Sequence, residues 1–235
     1  NYSFVTGFTW RTSWSNFETS QGVYDYTSLD HIVQRLDSIN KKLTVLFGAS
    51  SIEPAYISAQ SGVTTYQFTD PVSNLTSTRP VPYDGYLLQR FRLFLSSLAN
   101  HQIYSISSGT MVAFKDHPVL ANIATNVPGL GAIRNVNGFN TPLQSVLPNY
   151  TRSKFVDSLV VSMKIQTDNF PTKYVFIPFY KNTADNITSP TLDNYIKSQL
   201  IANFNGIINP KIGFWQENLA GFTDTATNIF TGLPT

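Results

Sequence analysis

The chain has 235 residues, enough for one large domain with a substantial core, and only 13% of them are charged, for a net charge of +2. With no basic cluster, that balance gives no reason to expect nucleic acid or an acidic membrane surface as a partner. Cysteine is absent, which excludes disulfides and thiolate metal sites, and the three histidines are too scattered to read as a metal set, so no cofactor is expected.

His31 reads as a surface residue, His101 as the end of a helix, and His117 as the residue before Pro118. The longest apolar run is too short to span a bilayer. No signal peptide precedes Asn1, and a start without Met reads as a processed or excerpted chain. Aromatic residues make up 14% of the chain, among many Asn, Ser and Thr. Flat π-faces beside amides and hydroxyls are what a pyranose ring needs, and an aromatic core is the competing explanation for each ring.

The first elements have the order of a βαβ unit. A short apolar segment, Phe4 to Trp10, leads into an aromatic loop. Leu29, Ile32, Val33, Leu36 and Ile39 then recur at helical spacing, with Thr27 placed to cap the helix and Asp30 near its positive end. A continuously apolar run, Leu43 to Phe47, follows, and two such short runs read as buried parallel strands. Trp10, Arg11 and Trp14 follow the first, and Gly48 to Ser50 with Glu53 and Pro54 follow the second.

From Ser58 to Pro82 both periodicities vanish, which reads as a long loop over the mouth of a barrel. Asp84 caps a helix whose apolar face is Leu87, Leu88, Phe91, Leu95 and Leu98, with Arg90 and Arg92 off that face. Ile103 to Ser107 reads as the third strand and Val119 to Ala124 as the fourth, followed by Asn126-Val127-Pro128. A helix from Arg152 to about Gln166 and a fifth strand from Tyr174 to Phe179, running into Tyr180, come next. After a weaker helical pattern through Leu192, Ile196, Leu200 and Phe204, Lys211 to Trp215 reads as the last strand. With the following Gln216-Glu217-Asn218, Trp215 puts an indole, two amides and a carboxylate in a short span.

The run Trp14, Phe17-Glu18, Gly22-Val23-Tyr24-Asp25-Tyr26, Leu29-Asp30, Lys42 to Gly48 and Pro54 to Ile57 resembles the opening of the clan A (β/α)8 glycoside hydrolases, in their β-galactosidase-like and endoglycanase-like branches. Pro82-Tyr83-Asp84 with Tyr86-Leu87 resembles their lead into the next helix. The resemblance implies an α/β fold of the TIM-barrel type, with Glu18 and the Gly-x-Tyr-Asp turn holding the first loop rather than reacting. It also implies an acid/base glutamate at the end of the fourth strand, where this chain has Asn126-Val127-Pro128. Roughly six βα units are legible against the eight of a closed barrel, and residues 222–235 are too few for two more, so either segments escape the reading or the chain is part of a longer one.

The expectation is therefore a single extracellular glycosidase-like barrel domain that binds carbohydrate or serves as a structural module. Trp10, Arg11, Asn126, Tyr180, Trp215 and Gln216 are the candidate sugar-binding residues. One alternative is an active hydrolase pairing Glu217 with Glu53 or an aspartate, since glycoside hydrolysis needs two carboxyl groups facing each other across the bond. Another is an architectural subunit assembled with other chains. Asn74-Leu75-Thr76, Asn149-Tyr150-Thr151 and Asn186-Ile187-Thr188, with Asn1-Tyr2-Ser3, satisfy the N-glycosylation rule and agree with secretion.

Overall fold

The computed structural model describes residues 5–47, 53–69, 74–125, 127–130, 142–178, 185–204 and 212–215. Five strands form one parallel sheet: β1 (Gly7–Thr12), β2 (Lys42–Phe47), β3 (Leu120–Thr125), β4 (Tyr174–Pro178) and β5 (Ile212–Trp215). Their spatial order equals their order in the chain. Right-handed crossovers between successive neighbours put every connecting helix on the same face, which is the winding of a (β/α) barrel rather than of a doubly wound sheet. The described sheet is an open, incomplete barrel.

Among the described residues four long helices, besides a short one at Ala55–Ala59, fill the crossovers: α1 (Thr27–Ser38), α2 (Gly85–Asn100), α3 (Arg152–Asn169) and α4 (Leu192–Phe204). Alternation along a strand decides which residues they cover. Val45, Ile123 and Val175 are register partners across β2, β3 and β4, with Trp10 joining them on β1. All four pack in one core with Leu29, Val33 and Leu36 of α1 and Phe91, Phe94 and Leu98 of α2. A second core joins Phe155, Leu159 and Met163 of α3 to Ile196 and Leu200 of α4.

The other face carries Thr9, Thr44, Asn122 and Tyr174 in one layer, and Arg11, Leu46, Ala124, Phe176 and Gly213 in the next. Asn122 donates to Thr44 Oγ1 at 3.2 Å within the first layer. The Phe176 ring lies across the position of Gly213, where a Cβ would come within 2.2 Å of it. Only glycine admits the ring there.

Four sequence expectations change. Ile103 to Ser107 is not a sheet strand: Gln102–Ser105 pairs antiparallel with Thr110–Ala113 in a separate hairpin. The signal was present, because Ile103 and Ser105 are buried while Gln102 and Tyr104 are exposed, and Ser107-Ser108-Gly109 turns with Gly109 at φ 70°. Such alternation marks a half-exposed ribbon, whereas buried parallel strands read as unbroken apolar runs. The segment 58–82 is likewise no plain loop: Thr65–Thr69 and Thr76–Pro80 form a hairpin after the short helix Ala55–Ala59, with Tyr66 and Phe68 inward.

Thr27 does not cap α1; Asp25 Oδ1 accepts the Thr27 N–H at 2.9 Å instead. Arg90, placed off the apolar face of α2 by its charge, is buried, while Arg92 is exposed. Asp84 caps α2 as expected, accepting from the N–H groups of Tyr86 and Leu87. Among the described residues no helix is long and apolar enough to cross a membrane.

His117 is fully buried where the hairpin returns to β3. Its Nδ1 accepts from the Val119 N–H at 3.2 Å, and its Nε2 stands 4.0 Å from Asp37. Burial pushes its pKa below the ordinary 6.5, helped by Lys173 and opposed by the Tyr104 backbone and Asp37. The unfolded chain therefore takes up the proton first, so this contribution is full above the unfolded value and is lost as pH falls through it toward the folded one. Urea unfolding is expected to show a lower midpoint at about pH 5.5 than at about pH 7.5, and His117→Gln to flatten that slope while lowering the midpoint overall.

Candidate functional site

In a parallel sheet of this winding, reactive and binding groups gather on the loops beyond the carboxyl ends of the strands. Here those loops are organised by carboxylates that already have partners. The first is Glu18, on the loop after β1 and fully buried. Its Oε2 accepts from Trp14 Nε1 at 2.6 Å, and its Oε1 from the Gly22 N–H and the Tyr56 hydroxyl, both at 2.8 Å. Arg90 Nη2 of α2 completes the set at Oε1, and Arg90 Nε donates to Tyr56 Oη at 3.0 Å.

Gly22 is needed because the turn that aims its N–H inward has φ 76°. Burial disfavours a charged Arg90, but its bonds to Tyr56 and Glu18 outweigh this and hold its pKa above the ordinary arginine value. Tyr56 is pushed upward, by burial first and by Glu18 second, so its hydroxyl stays a proton donor. This is the anchoring role that the resemblance implies for Glu18.

The second carboxylate is Glu53, after β2. Arg79 grips it with Nε on Oε1 at 2.8 Å and Nη2 on Oε2 at 3.0 Å, and the Arg79 guanidinium lies 5.1 Å from the Phe68 ring centre. Both are buried, and among the described residues Arg79 Nη1 has no hydrogen-bond partner. Both oxygens of Glu53 are thus engaged by one guanidinium.

The third is Asp185, after β4. Tyr150 and Arg152 Nε donate to its Oδ2 at 2.8 and 2.7 Å, and Arg152 Nη2 and the Ile187 N–H to Oδ1. Burial would raise the Asp185 pKa, but the bonds from Arg152, Tyr150 and Ile187 more than offset it and leave it below the ordinary 3.8. Asp25 accepts the Thr27 N–H at the start of α1, Asp84 caps α2, and Asp84 Oδ2 also accepts the Thr64 N–H. Among the described residues, every carboxylate on the loops that follow the sheet strands is therefore engaged. No group of three or more acidic or histidine side chains placed to hold a metal occurs among the described residues.

The expected sugar-binding residues do not all converge. Trp10 faces the helices and meets Phe17 edge-on with ring centres 5.7 Å apart, whereas Arg11 faces the other way, beside Leu46. Neighbours on a strand cannot share one face. Trp215 ends β5 in register with Pro178. Asn126, Tyr180, Gln216 and Glu217 lie outside the described residues, as does the segment 222–235. Asn74, Asn149 and Asn186 are all exposed.

Sequence reasoning missed Arg79, Arg90, Arg152 and Tyr56. The readable signal was an arginine beside otherwise apolar positions, as in Tyr86-Leu87 to Phe91, but the partner of Arg90 is 72 residues away.

Recounting the strands also moves the place where a clan A acid/base glutamate would stand. With Ile103–Ser107 out of the sheet, the fourth strand is β4, not Leu120–Thr125. The residues after it read Phe179-Tyr180-Lys181-Asn182-Thr183-Ala184, and the first acid is the Asp185 just described.

No protein-family model matches the chain, and no curated protein is similar to it in sequence. Solved structures match it in fold alone. A β-galactosidase from Bacillus circulans sp. alkalophilus is 15% identical with a TM-score of 0.49, covering 81% of this chain and 34% of that one. Xylanase B from Clostridium stercorarium F9 is 13% identical with a TM-score of 0.48, covering 89% and 54%. Endo-glycoceramidase II from Rhodococcus sp. is 13% identical with a TM-score of 0.42, covering 72% and 40%. This chain thus spans about a third of the β-galactosidase and about half of the xylanase.

Removing one member of the Glu18 network leaves its charge buried without compensation, so Arg90→Met is expected to cost about 3–5 kcal/mol. Arg90→Met with Glu18→Met removes both charges and is expected to recover part of that loss, as urea unfolding of the two variants would show.

Proposed function

We propose that this chain is a glycosidase-like barrel that binds glycan, or serves as a structural module, without the usual acid/base glutamate. The observation that carries the reading is the engagement of the loop carboxylates. Glycoside hydrolysis asks one carboxyl group to donate a proton and a second to attack or to activate water, at about 5 to 9.5 Å across the bond. A carboxylate whose oxygens already accept from a guanidinium is poorly placed to donate a proton or to attack a sugar. Glu18, Glu53 and Asp185 are all held by arginines.

The second reading is an active hydrolase built on Glu217, the third of the chain's three glutamates, two residues beyond the end of β5. Its second carboxylate would be Glu53 or an aspartate, released from the arginine that now holds it where that residue is Glu53 or Asp185.

The test is a glycan-binding array run beside hydrolysis of a panel of aryl glycosides, on the chain and on Glu217→Gln. Binding without turnover, in both proteins, is the expected result. Turnover that disappears in Glu217→Gln would replace the first reading by the second.

A further inference from the structure

We propose that Asn74, Asn149 and Asn186 carry N-linked glycans that form a collar around the mouth of the barrel. The proposal assumes passage through a secretory pathway and is independent of whether the mouth binds sugar. Each of the three acceptor triplets lies on a connection from a strand's carboxyl end to the next helix: Asn74 between β2 and α2, Asn149 between β3 and α3, Asn186 between β4 and α4. None of the three lies on a helix-to-strand connection, where a modification would fall on the opposite end of the barrel.

Direct bonds tie these connections together. Tyr83 donates to the Pro148 carbonyl at 2.6 Å, one residue before Asn149. Tyr150 donates to Asp185 at 2.8 Å, one residue before Asn186. Tyr66, on the hairpin that carries Asn74 at its turn, donates to the Gly129 carbonyl after β3 at 2.6 Å.

The surroundings of the acceptors suit a sugar. Asn74 and Asn149 sit at φ 58° and 55°, and all three asparagines are exposed. The middle residues of two triplets are among the more exposed large apolar side chains: Leu75 at 71% and Ile187 at 45%. A first sugar on the preceding asparagine would cover that apolar surface.

In the transfer, the asparagine amide nitrogen bonds to the anomeric carbon of a saccharide carried on a lipid pyrophosphate. The C–O bond to the pyrophosphate breaks with its electron pair leaving on oxygen, and the amide proton passes to the transferase's base.

The experiment is secretion of the whole chain behind a cleavable signal from a eukaryotic cell, with protein taken from the medium so that every molecule scored has met the transferase. Enzymatic release of N-glycans in heavy-oxygen water, read by peptide mass spectrometry, scores each asparagine without any variant. Occupancy at two or more of the three, with stepwise mobility gains for Asn74→Gln, Asn149→Gln and Asn186→Gln, is expected. Occupancy at one site or none overturns the collar. Thr151 is left unchanged because its hydroxyl accepts from the Lys154 N–H at the start of α3.

Discussion

The structure depends on a charge placed where water cannot reach it. Glu18 is fully buried, and an isolated carboxylate there would cost several kcal/mol, so the loop holds only if donors are brought to it. They come from three parts of the chain: Trp14 and Gly22 of the same loop, Tyr56 beyond β2, and Arg90 of α2. Once all are in place, the first loop, the second loop and the second helix have one relative position.

The device recurs twice. Glu53 with Arg79 joins the loop after β2 to its own hairpin, and Asp185 with Arg152 joins the loop after β4 to the start of α3. Three of the seven arginines are spent in this way, which suits a chain of few charges. Guanidinium is suited to the task because its rigid fork meets both carboxylate oxygens at once, as Arg79 does with Glu53.

How much of this was legible in the sequence follows from the range of each interaction. The helices were readable because their apolar stripes are local: Leu29, Val33 and Leu36 of α1 are buried as the spacing implies. The five sheet strands were readable as short apolar runs between turns. The strand count failed at Ile103 because a half-buried ribbon and a buried strand can share the same few residues, and only the pairing partner separates them. Arg90 failed because its charge argued for solvent while a glutamate 72 residues earlier argued for burial. The opposite orientation of Trp10 and Arg11 was available from strand alternation alone, and it divides a pair that composition had grouped together.

The Phe176 ring resting over Gly213 makes one position of β5 depend on a side chain of β4. Any residue with a Cβ at 213 would have to push that ring off its neighbour, so the aromatic and the glycine can change only together.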